Sequence, residues 1–134
     1  MNKIWKPKLS NHQGFKIGDG CILHSHTWVG KKVKIGNKVK IQAFVFICDG
    51  VILEDNVFIG PGVVFTNDKY PPSYGHNWSE TLVKKGVSIG ANATILPGIT
   101  IGENALIGAG AVITKNVPPG EVWCGNPARF LKKR

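Results

Sequence analysis

"VKIGNKVKIQAFVFICDGVILEDNVFIG", residues 33–60, repeats every six residues. Ile35, Ile41, Ile47, Leu53 and Ile59 hold one phase; Val39, Val45, Val51, Val57 and Val63 follow them four residues later. Traced outward, the first phase also takes in Ile17, Leu23 and Val29, then Val83, Ile89, Ile95, Ile101, Ile107 and Ile113. All 14 of these positions are Ile, Leu or Val, although such residues make up only 34 of the 134. The second phase takes small or β-branched residues throughout, from Cys21 and Thr27 to Ala105, Ala111 and Val117. Glycine follows the aliphatic position at 18, 30, 36, 60, 90, 102 and 108.

A period of six is neither the 3.6 of a helix nor the 2 of a simple strand. Hexapeptide periodicity is a signature of β-helices. Two inward residues per hexad alternate with outward polar ones, and glycine beside Asn or Asp suits turns. The expected solid is a three-sided prism of short parallel strands, one hexad per side. Its interior should be too narrow for anything larger than these aliphatic side chains. Fourteen hexads correspond to about four and two-thirds coils, spaced roughly 4.8 Å apart. Trp28, Phe44, Phe46 and Phe58 then fall on outward positions, suited to interface packing or substrate stacking.

The length suits one domain, residues 1–134. Within it, 1–16 is expected as an N-terminal cap that includes His12, 17–118 as coils, and 119–134 as a tail. Pro118-Pro119 should stop the ladder, leaving "ARFLKKR" as a short tail or helix. Cys21, Cys48 and Cys124 are odd in number and lack CxxC spacing, which argues against a disulfide framework or zinc cluster. There is no apolar run of membrane-spanning length, and the start "MNKIWKPKLSNHQG" is polar and basic. A soluble, cytoplasmic chain with no membrane partner is the expectation. The formal charge of +9 favours anionic partners. With lysines singly or in pairs and no nucleic-acid-binding motif, phosphate-bearing small molecules are favoured over nucleic acid.

The rhythm stops after Phe65 and resumes at Val83. A solenoid surface is mostly convex, so a loop over residues 66–82 is expected to wall off a cleft. It holds Asn67, Asp68, Lys69, Tyr70, Tyr74, His76, Asn77, Trp78 and Glu80, groups that hydrogen-bond and stack. In an unbroken prism, residues 18 apart stack. That places His24, Gln42 and Gly60 in one column. If the frame holds through the loop, it also places Asp49, Asn67 and Lys85 in another.

The repeat "[LIV]-G-x-x-x-x" resembles the hexapeptide-repeat acyltransferases. The resemblance implies an all-β fold, a left-handed parallel β-helix with one extruded loop, and a homotrimer with its sites between subunits. "KIQ" at 40–42, "FTND" at 65–68, "TLVKKG" at 81–86 and "GNPAR" at 125–129 look most like the nucleotide-sugar N-acyltransferases among them. These move an acyl group, usually acetyl, from CoA to the amine of a UDP- or dTDP-linked amino sugar used in surface polysaccharide synthesis. Carried over, Asn67 is implied to hydrogen-bond the amine, with Asp68 beside it. Gln42, Asp49, Tyr70, Lys84 and Lys85 are taken as acceptor-binding. Gly108, Ala109, Gly110, Lys115, Asn126 and Arg129 are taken as the acetyl-CoA site, and no metal is called for. The O-acetyltransferases of the superfamily carry a histidine at the start of this loop, where this chain has Thr66-Asn67-Asp68-Lys69. His24 or His26 is the alternative base, and an O-acetyltransferase acting on a sugar or serine hydroxyl is the nearest rival. A non-catalytic trimeric scaffold and a γ-carbonic-anhydrase-like zinc enzyme are the remaining readings. The chain is also shorter at its N-terminus than many relatives, so its nucleotide-binding end is expected to differ.

Overall fold

The structure, a computed structural model, describes residues 1–4 and 14–134. Most of the expected N-terminal cap, His12 included, therefore lies outside the described residues. The chain forms a left-handed parallel β-helix. Successive two-residue strands turn onto the next side of the prism, so each of three sheets collects every third strand. The eight-stranded sheet runs upward from Lys3–Ile4 to a C-terminal hairpin. The tryptophan sheet stacks Trp28–Val29, Phe46–Ile47, Val64–Phe65, Thr94–Ile95 and Val112–Ile113. The lysine sheet stacks Lys16–Ile17, Lys34–Ile35, Ile52–Leu53, Leu82–Val83 and Thr100–Ile101. The chain always passes from the lysine sheet to the eight-stranded sheet and then to the tryptophan sheet.

Within each pair the second residue points inward, partly buried at Ile4 and Ile17 and buried from Leu23 on, and the first faces out. Ile17, Ile35, Leu53, Val83 and Ile101 stack in register through one face of the core. Fully burying each such side chain contributes roughly 1.5–3 kcal/mol. Because each coil contacts only its neighbours, that contribution repeats along the axis.

The structure corrects the expected prism in five respects. The stack reaches about 6 turns, because Val64–Phe65 is itself a side, Lys3–Ile4 adds one below, and the Val117 bridge to Ile101 and Glu121–Gly125 add two above. The interior does admit an aromatic ring: Phe65 is fully buried on the last level before the loop. "ARFLKKR" is not helical. Ala128–Lys133 is a strand antiparallel to Glu121–Gly125, and it covers the otherwise open edge of the parallel sheet. The glycines after the aliphatic position serve close approach rather than left-handed turns. A Cβ on Gly60 would lie 2.8 Å from the Ala91 amide nitrogen one coil above. The left-handed backbone sits two residues later, at Asn56, Asn92 and Asn104 among others.

The fifth correction concerns the phase. Val64–Phe65 pairs with Thr94–Ile95, 30 residues on, whereas Leu82–Val83 belongs to the next sheet and pairs with Ile52–Leu53. The interruption is thus an insertion into a single corner, between the tryptophan and lysine sheets. Asp49 and Asn67 still stack, but Lys85 moves to a different corner, where its amide donates to Glu54 Oε1 at 3.0 Å. The column His24–Gln42–Gly60 lies below the insertion and keeps its register: the His24 amide donates to Ile41 O and the Gln42 amide to Ile59 O.

Candidate functional site

The inserted segment closes on itself at its neck, where the Ser79 amide donates to Asn67 O at 3.3 Å. Asp68 is its hub. Oδ1 accepts the Tyr70 amide at 3.2 Å and Oδ2 the Ser73 amide at 2.8 Å. Those bonds, the Ser73 amide first, hold the Asp68 carboxyl below its ordinary value of 3.8, aided by the Trp78 indole. The returning residues seat on glycines of the same corner. A Cβ on Gly98 would meet Ser79 at 3.2 Å, and one on Gly50 would meet Glu80 at 3.4 Å.

A pH dependence follows. A depressed carboxylate pKa stabilises closure above the unfolded value, and that contribution is lost as pH falls through the folded value. Amide hydrogen exchange at Tyr70 and Ser73 is therefore expected to accelerate as pH drops below about 4 relative to intrinsic rates. In Asp68→Asn that change should vanish. Protection unchanged in the wild type down to about pH 2 would show that Asp68 does not hold the loop.

Between the loop and the tryptophan sheet lies a cleft of about 360 Å³. Its floor is Trp28, Phe46, Val64 and Phe65, its loop wall Pro71 and Trp78, and its polar rim Cys48, Asp49, Thr66, Asn67 and Asp68. Trp28 and Phe46 stack along the sheet with ring centroids 6.4 Å apart and planes 13° from parallel. Thr66 Oγ1 donates to Ile95 O at 2.9 Å, and Asn67 Nδ2 donates to Asp49 O at 3.4 Å. Asn67 Oδ1 has no partner among the described residues. The rim thus offers an oriented acceptor above an apolar, stacking floor. Burial pushes the Cys48 thiol up to about 12, so this wall residue stays protonated and is no nucleophile.

Of the residues singled out from the sequence, Asp49, Asn67 and Asp68 meet at this cleft. Tyr70 does not: it is 76% exposed on the outer side of the loop, with Lys69 Nζ 5.6 Å from its ring centroid. His24, His26 and Gln42 lie at the opposite edge of the tryptophan sheet, where the chain enters from the eight-stranded sheet. There His26 stacks on Phe44 (4.9 Å, 18°), and its Nδ1 is buried without a hydrogen-bond partner among the described residues. Lys84 and Lys85 occupy the third corner.

Gly108, Ala109 and Gly110 come together with the hairpin turn carrying Asn126. The Gly108 amide donates to Trp123 O at 2.8 Å, and a Cβ on Gly108 would meet Cys124. Arg129 follows on the returning strand, its Nη1 on Ala128 O at 2.9 Å. Lys115 is apart from them, over the Trp123 ring at 5.5 Å. The sequence reading passed over Cys48, Thr66 and Pro71. The 18-residue offset between Cys48 and Thr66 was the available signal for two of them. Among the described residues, no three His, Cys, Asp or Glu side chains are grouped so as to hold a metal ion. Among the described residues, no helix is long and apolar enough to cross a membrane.

Comparison with known proteins agrees with this geometry. The bacterial transferase hexapeptide family (six repeats) matches residues 32–67 and 80–115, leaving out the segment inserted at the corner. A probable macrolide acetyltransferase of Lysinibacillus sphaericus is 35% identical over 117 residues, covering 75% of this chain and 62% of that protein. A 2,3,4,5-tetrahydropyridine-2,6-dicarboxylate N-acetyltransferase of Staphylococcus carnosus is 44% identical over 78 residues, 58% of this chain and 31% of that one. The chain thus spans less than two thirds of the length of these relatives. Among solved structures, an N-acyltransferase from Bacillus cereus in complex with dTDP and coenzyme A superposes with a TM-score of 0.84. It is 22% identical, with 99% of this chain and 82% of that chain covered, a likeness of fold. A galactoside acetyltransferase in complex with coenzyme A gives 0.81 at 27% identity, covering 89% and 65%. With the family's repeats matched on both sides of the insertion, this chain belongs to the bacterial transferase hexapeptide family.

Proposed function

We infer that this chain is an acyl-CoA-dependent acyltransferase that moves an acetyl group from acetyl-CoA to the amine of a nucleotide-linked amino sugar. The observation that carries this reading is Asn67. Its amide is tied to the Asp49 carbonyl through Nδ2, its Oδ1 is free, and it stands at the rim of an aromatic-floored cleft. An amine needs such an acceptor for orientation more than it needs a base. The neutral nitrogen attacks the thioester carbonyl carbon, the carbon–sulfur bond breaks, and the departing thiolate takes the surplus ammonium proton. Backbone N–H groups at a glycine corner are the natural donors to the tetrahedral oxyanion. The Gly108–Gly110 corner and the Asn126–Arg129 turn, which adjoin each other, suit the CoA arm, whereas Lys115 stands apart over the Trp123 ring. The relatives named as acetyltransferases, and the neighbours solved with coenzyme A, support the donor.

A second reading, O-acetylation with His26 as base, is favoured by the orphaned Nδ1 and by the macrolide and galactoside acetyltransferases among the similar proteins. Both readings place the site in a cytoplasmic homotrimer, where a neighbour can face the cleft. Release of CoA thiol that depends on an amino-sugar nucleotide, with one acetyl added to the amine, is the expected result. Sedimentation in the same buffer should show a trimer. Turnover by a stable monomer would reject the intersubunit site, and no thiol release with any amine would reject the N-acyl reading.

A further inference from the structure

The net charge is concentrated in the first part of the sequence. Residues 1–48 hold nine lysines against one carboxylate, Asp19, whereas residues 49–134 hold eight lysines and arginines against seven carboxylates. Four of the first group gather on the lysine sheet and the corner that carries the loop. Lys16 and Lys34 are direct register partners on adjacent parallel strands, so their stems stand roughly 4.8 Å apart. Like charges directly opposed destabilise a sheet. Among the described residues, neither they nor Lys31 nor Lys32 makes a salt bridge. A repulsive stack is thus kept with no protein counter-ion bonded to it.

The place is concave. Residues 78–80, returning from the loop, flank two adjoining hollows of about 370 and about 380 Å³. Lys31, Lys32 and Glu80 line the first, and Lys16, Lys32, Lys34 and Glu80 the second. The first hollow shares Asp49 and Trp78 with the cleft at Asn67. The cleft and the two hollows therefore adjoin as one track, with Asp49 and Trp78 as the wall that cleft and first hollow share. Four ammonium groups face two carboxylates along it, and Asp49 Oδ1 is already engaged by the Lys31 amide at 2.9 Å.

We propose that this track is an anion subsite for the acyl acceptor: Lys16, Lys31, Lys32 and Lys34 take the diphosphate of a nucleoside-diphosphate-linked substrate whose sugar reaches Asn67. The proposal rests on the acyltransferase reading. Lysine meets phosphate as a mobile point charge, and a comb of lysines on fixed strands offers several at once. A diphosphate seated there also removes the repulsion between Lys16 and Lys34. Lys84 and Lys85, at another corner, do not border the track.

The test uses the full chain, a Lys16→Gln/Lys34→Gln variant, and a Lys3→Gln/Lys38→Gln control that loses equal charge elsewhere. Calorimetric titration with UDP and with dTDP at physiological salt is expected to show Kd raised at least ~10-fold in the first variant and less than about 2-fold in the control. The acetyl-CoA KM should be unchanged in both, and inorganic pyrophosphate should displace the nucleotide. Melting at or above the wild-type temperature confirms that the first variant is folded, since repulsion has been removed. Equal weakening in both variants, no weakening in either, or failure of pyrophosphate to compete overturns the proposal. So does retention on phosphatidylserine vesicles that Lys16→Gln/Lys34→Gln alone abolishes without any nucleotide binding, which assigns the patch to a membrane surface. Acetyl transfer to a free amino sugar with unaltered kcat/KM, alongside no nucleotide binding, overturns the subsite and leaves the acyltransferase reading standing. Selective loss of nucleotide binding in the first variant with no acetyl transfer to any amine sustains the subsite and removes that reading.

Discussion

Asn67→Ala is expected to lower kcat/KM for an amino-sugar nucleotide about 10–100-fold, or roughly 1.4–2.7 kcal/mol of lost orientation. His24→Ala and His26→Ala should each cost much less, provided the assembly survives. The physical ground is the geometry of the cleft. Asn67 stands on its rim with Nδ2 fixed on a carbonyl and Oδ1 open, so it can accept from an amine without taking its proton. The two histidines lie at the far edge of the tryptophan sheet, and neither lines the cleft. A base supplied to Asn67 by either of these two histidines therefore requires a neighbouring subunit. If one is supplied that way, its removal should cost about 100–10,000-fold, and the lower limb of the pH profile should disappear in that variant alone. The three variants are to be assayed with the amino sugar and with its hydroxyl analogue. Collapse with His26→Ala while Asn67→Ala stays near wild type rejects the base-free mechanism. Acetylation of the hydroxyl analogue alone rejects the amine.

The solenoid was readable from the hexads because burial in it depends only on position within six. Ile35, Leu53 and Val83 are inward on one sheet, and Ile41 and Ile59 on another, for the same reason and with the same residue types. That equivalence is also why the sheet assignment beyond the loop was not readable. Val83 lies 18 residues after Phe65, a whole turn in an unbroken prism. The insertion, however, adds 12 residues to a single corner, two full hexads. The aliphatic phase survives such an insertion, while the face changes. Lys85 was therefore stacked on Asn67 in sequence space and sits at another corner in three dimensions.

The C-terminal strand was hidden for a different reason. Nothing in "ARFLKKR" carries a period-two signal. Its pairing is imposed by the open edge of Glu121–Gly125. Its last residue is held by the coil below, Arg134 Nη1 lying 3.1 Å from Ala105 O and its amide 2.8 Å from Gly120 O. Asn67 and Asp68 were legible because they stand where the rhythm stops. The lysine track was not, because the return of the loop over Lys31 and Lys32 follows from folding rather than from local pattern.

Deleting residues 68–79 should leave the solenoid folded and abolish activity, with kcat/KM falling at least ~1,000-fold, about 4 kcal/mol. The deletion joins Phe65-Thr66-Asn67 to Glu80-Thr81-Leu82-Val83, which restores six-residue spacing between the inward Phe65 and Val83. The result copies the uninterrupted corner one coil below, Ile47-Cys48-Asp49-Gly50-Val51-Ile52-Leu53. There Gly50 takes φ +85, so Glu80→Gly is added to spare a bulky side chain the left-handed backbone, a cost of order 1 kcal/mol. The inward stacks on both sheets keep their partners, since Phe65 already pairs with Ile95 and Val83 with Leu53 and Ile101. What disappears is the wall of the cleft, Pro71 and Trp78, together with the Asp68 hub. Circular dichroism and thermal melting test the first half, and acetyl transfer the second. A deletion variant that folds and still turns over would place the chemistry away from this cleft. One that fails to fold would show that the inserted loop supports the stack and is not separable from it.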